Sequence, residues 1–359
     1  MSSETGAPAA VLHGEGAPAS DAYEPPIDWI LRPFAVSDRS PWLVAAGLAL
    51  GFLVVSLCVR VALFGVPPGP AWREIYPWLD LLNGVVFAYI PTAMWLLRRG
   101  RACDLRSLRP HLREGVSYRA IADAALGVPR SAMLASLAAA LVLGLVPAMD
   151  PRFWDGPRPP LLHPLVLFFA LRMAVTGWLA GRAIASEARA LAAFARIGAR
   201  DVRVDLMDLR PFAVFARVGL RSALSWVVVS SLISLFWLGP GAPLVNAVIV
   251  VGLVAGVSVG FFACIEGPHR AIAAAKRDAL AAVESRIARA GRALMEGRPA
   301  DAGGERLTDL VAWHAFLEKI RDWPLDAPAL VRGALIAALG LGSWLGGALV
   351  DRVVDRFFG

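Results

Sequence analysis

The stretch PWLVAAGLALGFLVVSLCVRVALFG, residues 41–65, runs for 25 residues with a single charge, Arg60. The hydrocarbon core of a bilayer is about 30 Å thick, so a helix needs about 20 mostly apolar residues to cross it. This stretch is long enough and apolar enough. Others of the same kind follow at 77–97, 131–149, 161–181, 222–238, 243–265 and 329–350. The last contains Gly340, Gly342, Gly346 and Gly347, and reads either as a span or as a re-entrant element. The fold class that follows is all-α, a polytopic bundle of about seven spans.

Composition agrees. Of 359 residues 57% are hydrophobic and 18% charged, and the mean hydropathy is +0.58. Soluble domains carry about 25% charged residues. The net charge of +7 does not point to nucleic acid, because the arginines gather between the apolar stretches. Segments 98–130 and 182–221 hold eight each, and 266–328 holds ten Lys and Arg. With Arg32 and Arg39, one face carries 28 basic residues against five on the other. Basic loops stay inside. The expected topology is therefore N-terminus in and C-terminus out, in the cell membrane, which in a bacterium is the cytoplasmic (inner) membrane. Trp42, Trp72, Trp78, Trp95, Trp154, Trp237 and Trp344 lie near span ends, where indole favours the interface.

The chain divides accordingly. Residues 1–27, rich in Ala, Pro, Gly and acids, read as a disordered cytoplasmic tail with no signal-peptide pattern. Residues 28–265 form a six-span membrane part. Residues 266–328 form a small cytoplasmic helical hairpin: Leu280, Val283, Ile287, Ala290 and Leu294 mark its first stripe, and Leu307, Leu310, Val311, His314, Leu317 and Ile320 its second. Residues 329–359 hold the seventh span and a short tail.

One hexapeptide repeats. Leu31-Arg32-Pro33-Phe34-Ala35-Val36 recurs as Leu209-Arg210-Pro211-Phe212-Ala213-Val214, with a partial copy at Leu108-Arg109-Pro110-His111. Asp28, Asp208 and Asp104 stand upstream of the three. Each copy precedes an outward-going span, which suggests repeated helical hairpins. Its proline suits a first helical turn, with Arg toward headgroups and Phe toward the acyl boundary.

Few residues in the spans carry chemistry. Arg60 and Asp80, near the ends joined by the first outer loop, are placed to form an ion pair, with Asn83 beside them. Arg172 lies about 15 Å from either end of its span, too deep to snorkel with ease. Ser230, Ser231 and Ser234 of the fifth span are its candidate partners, together with an anion. These seven residues are the candidate substrate-binding set. Gly252, Gly256 and Gly260 make a flat helix face suited to close packing or a homo-oligomer contact. The same glycines create Gly256-Val257-Ser258-Val259-Gly260, a formal G-x-S-x-G, but a nucleophile elbow needs a strand-to-helix turn and this lies inside an apolar run. Cys58, Cys103 and Cys264 have no metal or disulfide spacing. No cofactor, metal or catalytic motif is expected, and the chain is read as a non-enzyme.

Two functions fit. One is a transporter or channel-like protein for a small polar or anionic solute. The other is a membrane scaffold or signalling subunit that docks a cytoplasmic protein or anionic lipid headgroups. The topology itself is checked by cysteine labelling. Cys103, in the first Arg-rich segment, should resist an impermeant maleimide in intact cells and react after permeabilisation; reaction in intact cells reverses the orientation.

Overall fold

The computed structural model describes residues 23–37, 40–64, 76–149, 162–235, 243–296, 306–321 and 323. Among these the fold is all-helical. The helices are α1 (Arg32–Val36), α2 (Pro41–Phe64), α3 (Tyr76–Leu108), α4 (Tyr118–Leu126), α5 (Ser131–Met149), α6 (Pro164–Arg196), α7 (Ala213–Leu235), α8 (Pro243–Met295) and α9 (Leu307–Lys319). Five helical runs are long and apolar enough to cross a membrane: Pro41–Ala62, Asp80–His111, Tyr118–Leu145, Val166–Asp201 and Arg210–Leu232. Segment 243–265 is helical throughout as part of α8, and the proposed seventh span at 329–350 lies outside the described residues.

The helices pair in chain order. α2 packs on α3, α5 on α6, and α7 on α8, while α3 also touches α6 and α7. The α5–α6 pairing depends on small residues. A Cβ at Gly177 or Gly181 of α6 would land on the backbone of Ala139 or Ala135 of α5. Without glycine there, the backbones could not approach so closely. On α2, Gly47 and Gly51 have nothing within reach, and only 6% of that helix's most apolar stretch is buried. Its remaining surface is apolar and uncovered by the described protein, as a lipid-facing helix requires.

The Arg-rich segments differ from the loops expected of them. α3 and α6 each have 33 residues, about 50 Å, and α8 has 53, about 80 Å. These exceed a bilayer core, so the helices continue past it. Their overhanging ends pack into the protein's largest apolar core. Leu105 of α3, Ile121 of α4, Phe194 of α6, Phe215 of α7 and Ile272 of α8 all lie in it. The 98–130 and 182–221 segments are thus largely helix ends of a folded layer. Backbone bonds from Arg113 N to Asp201 O (2.9 Å) and from Arg203 N to His111 O (2.8 Å) tie the two together.

The 266–328 segment differs as well. Its first helix is not separate, since α8 runs through Pro268 without a break. α9 folds back on it through Val283, Leu310 and Leu317, all buried. Lys276 Nζ donates to the carbonyls of Glu318 (3.1 Å) and Ile320 (2.8 Å), where the end of α9 presents unpaired carbonyls. The His269 ring stacks on Trp323 at 4.1 Å.

The hexapeptide copies share an anchoring role. Pro33, Pro110 and Pro211 each sit second in a helical turn. Arg32, Arg109 and Arg210 are exposed. Phe34 and Phe212 do not reach toward lipid. Phe34 is buried against Trp95, and Phe212, fully buried, lies 6.0 Å from the ring of Phe215. Protein supplies the apolar surface that lipid was expected to provide.

Of the tail expected at 1–27, residues 1–22 lie outside the described residues and the remainder packs on the protein. Tyr23 donates to Asp123 Oδ1 (2.8 Å), Glu24 pairs with Arg106, and Pro25 O accepts from Arg98 (2.5 Å). Residues 23–27 are docked.

Packing at the glycines gives a test with opposite signs. Glycine to alanine in a helix interior gains about 0.5–1 kcal/mol of intrinsic preference. Gly47→Ala should leave the melting temperature in detergent unchanged or raise it. Gly181→Ala should lower it, since α5 and α6 must separate, at a cost of about 1–3 kcal/mol.

Candidate functional site

Asp80 is the fifth residue of α3, and Asn83 lies one turn further on the same face. On α6, Phe169, Arg172, Met173 and Thr176 fall at spacings of three and four, giving a second face. α2 brings Arg60. The three helices meet so that Asp80 lies between both arginines. Arg60 Nη2 is 3.0 Å from Asp80 Oδ2, and Arg172 Nη1 pairs with Asp80 Oδ1. The side chains of Arg60, Asp80 and Arg172 are 3%, 10% and 4% exposed, so solvent screens the cluster weakly.

Aromatic rings cover the guanidinium groups. Arg172 Cζ lies 4.8 Å from the ring centre of Phe169 and 5.8 Å from that of Phe168, and Arg60 Cζ lies 5.5 Å from Phe169. Such contacts attract a cation and are strongest when desolvated. They also hold the Arg172 plane. Among the described residues its Nε and Nη2 have no hydrogen-bond partner, and neither reaches solvent.

Below this cluster, the Thr176 hydroxyl is 3.1 Å from Asn83 Oδ1 and 3.2 Å from the Arg172 carbonyl. Asn83, fully buried, points Nδ2 at Met173 Sδ, 3.7 Å away. A thioether is a weak acceptor. An apolar belt of Val86, Ile90 and Leu179 then closes the α3–α6 seam. Beyond the belt the seam is charged again, with the buried pair Arg101–Glu187 and with Arg182 Nε donating to Asp28 Oδ2 at 2.7 Å. Trp29 lies tilted against Trp178, ring centres 5.8 Å apart, beside that pair. The seam thus carries polar groups at both ends and apolar side chains between.

Of the seven residues singled out from sequence, Arg60, Asp80, Asn83 and Arg172 come together. The serines do not join them through the bonds observed. Ser230 Oγ donates within its own helix, toward the carbonyls of Trp226 (2.6 Å) and Val227 (3.0 Å). Ser231 Oγ reaches Val227 O at 2.9 Å. Such back-bonding can satisfy a hydroxyl within its own apolar helix. The Ser234 side chain lies outside the described residues. Asp80, not a serine, meets Arg172. Sequence reasoning passed over Phe168, Phe169 and Thr176, although spacings of three and four from Arg172 place Phe169 and Thr176 on its face. The G-x-S-x-G segment is continuous α8 helix.

Compared with protein-family models, with curated proteins and with solved structures, the chain matches none. What is established is the class: among the described residues the protein is all-helical with five helices long and apolar enough to cross a membrane, which is compatible with an integral membrane protein.

The shared carboxylate makes a specific mutational pattern. Asp80→Ala leaves two buried guanidinium groups without their anion, at a cost of roughly 3–5 kcal/mol. The double variant Arg60→Leu with Asp80→Leu should not recover it, because Arg172 stays uncompensated. Only adding Arg172→Leu should restore melting near the parent. Full recovery in the double variant would mean that Arg172 does not depend on Asp80.

Proposed function

We propose that the chain is a multi-pass membrane protein that binds a small anion among α2, α3 and α6 and moves it along the α3–α6 seam. The observation that carries this is the Arg172 edge: among the described residues its buried Nε and Nη2 meet no hydrogen-bond acceptor, as a group that receives an anion requires. An arginine at the centre of a spanning helix costs about 2.5–3.5 kcal/mol on insertion scales. Asp80 offsets one such charge. An anion would meet the donors of Arg172 that Asp80 does not, and a cation is disfavoured there. The sealed Arg172 edge corresponds to an occluded state, in which the belt of Val86, Ile90 and Leu179 blocks passage.

In this reading seven spans run from a cytoplasmic N-terminus to an external C-terminus, and the Arg60–Asp80–Arg172 cluster faces the outer leaflet. The Arg-rich folded layer is cytoplasmic, following the 28-to-5 distribution of basic residues. The hexapeptide copies mark three related helical hairpins, α2–α3, α5–α6 and α7–α8. No enzymatic step is assigned.

A second reading, a scaffold that docks a cytoplasmic partner, draws on one feature. Trp313 and Phe316 of α9 stack at 5.2 Å while remaining 36% and 44% exposed. Exposed aromatic pairs of this kind suit protein contacts.

Flux separates the two. Purified protein in liposomes should release an entrapped anion faster than empty liposomes do. Arg172→Leu should reduce that rate to background while staying monodisperse. Equal rates for parent, variant and empty liposomes would leave the scaffold.

A further inference from the structure

We infer that the anion taken at this site is a small planar oxyanion, of the carboxylate or nitrate type, held in the fork formed by Nε and Nη2 of Arg172. This rests on the anion-binding reading above and narrows it to a ligand class.

A guanidinium presents its donors in a fixed pattern. Its five N–H groups lie in one plane and point along fixed directions. Nε–H and one N–H of Nη2 run parallel along one edge, a spacing that fits two oxygens of one planar acid. Asp80 occupies the other end of the group, at Nη1. Among the described residues, the buried donors Nε and Nη2 of the other edge meet no acceptor. Buried donors without a partner are rare, and each calls for a reason.

The edge is also held in place. The Phe168 and Phe169 contacts cover the group and limit its rotation. A fork whose direction is set by packing loses less entropy on binding than a free one. A single spherical halide can meet both N–H groups only with bent geometry, whereas two oxygens of a flat oxyanion meet them in line. The fork therefore favours shape as well as charge.

Asn83 gives an independent indication. It belongs to the same α3–α6 face, is fully buried, and its amide donor meets only the Met173 sulfur. A carboxylate-type oxygen is a far stronger acceptor than a thioether. Two helices thus each carry a buried donor whose acceptor is missing or weak. An anion between them would serve both.

The test uses the full chain in detergent and reads melting temperature against formate, acetate, nitrate and chloride at matched ionic strength. The planar ions should raise the melting temperature in a saturable way, and chloride should do so only at about tenfold higher concentration or more. Arg172→Lys keeps the positive charge and loses the fork, so it should weaken formate binding at least about tenfold. Asn83→Leu should weaken it less. Should Arg172→Lys fail to fold, the ranking of ions on the parent protein still decides the matter. If chloride stabilises as well as formate and Arg172→Lys keeps that response, the planar class is wrong while an anion site stands. If no anion shifts the parent, both the class and the anion reading fail.

Discussion

A carboxylate between two guanidinium groups, inside helices that are otherwise apolar, constrains everything around it. Asp80 can satisfy Arg60 and Arg172 together only if α2, α3 and α6 converge at one depth. α2 gains little else from the protein, since most of its surface is left uncovered. Its position is therefore fixed by the ion contact, by aromatic stacking of Phe52 on Phe87 at 4.7 Å, and by close approach to Gly84. Coulomb attraction at this burial is strong, but removing charges from water costs several kcal/mol per ion. A balanced pair would nearly cancel that cost. Among the described residues Arg172 keeps buried donors that Asp80 does not meet, and for that reason the cluster reads as a site.

The second constraint is length. Helices of about 50 Å and 80 Å cannot end at the faces of a 30 Å hydrocarbon layer. Their overhangs must bury apolar surface elsewhere, and they bury it in one another. Phe194, Phe212 and Phe215 fill the interior of that layer with tilted and edge-on ring contacts. The arginines that mark these segments are then surface residues of a packed unit. Some are held by carboxylates of other elements, as Arg217 and Arg221 are by Asp104. Helices on both sides of the seam are in this way fixed at one end by a shared core.

Much of this was legible in the residues. Apolar length marked the helices, because crossing a bilayer demands a length that chance rarely supplies. Arg60 and Asp80 were legible as a pair because a short connection brings their depths together. Arg172 was legible as costly, but its partner was not. Asp80 and Arg172 are 92 positions apart, and only the approach of α3 to α6 joins them. Ser230 shows a related limit: a hydroxyl in a helix can bond the carbonyl of the preceding turn, which leaves no trace in the sequence. The folded layer was hidden too. Arginine density signals topology, and it masked the interleaved Leu105, Phe194 and Phe215 that build the core.

The docked N-terminal segment shows how these parts are coupled. Asp28 binds Arg182 of α6, while Pro25 and Phe34 contact Arg98 and Trp95 of α3. A single short segment therefore touches both walls of the seam at its Arg-rich end. α3 and α6 cannot part there without breaking a buried ion contact, a charged hydrogen bond and two ring contacts. At the other end the same two helices are joined by Asp80 and Arg172. Between the two clasps, past the Thr176–Asn83 hydrogen bond, lies the apolar belt of Val86, Ile90 and Leu179, which holds by dispersion and exclusion of water. Apolar contacts can be remade after a small slide, whereas ion contacts break or hold. The two ends of the seam thus resist separation through discrete contacts, and the middle yields by degrees.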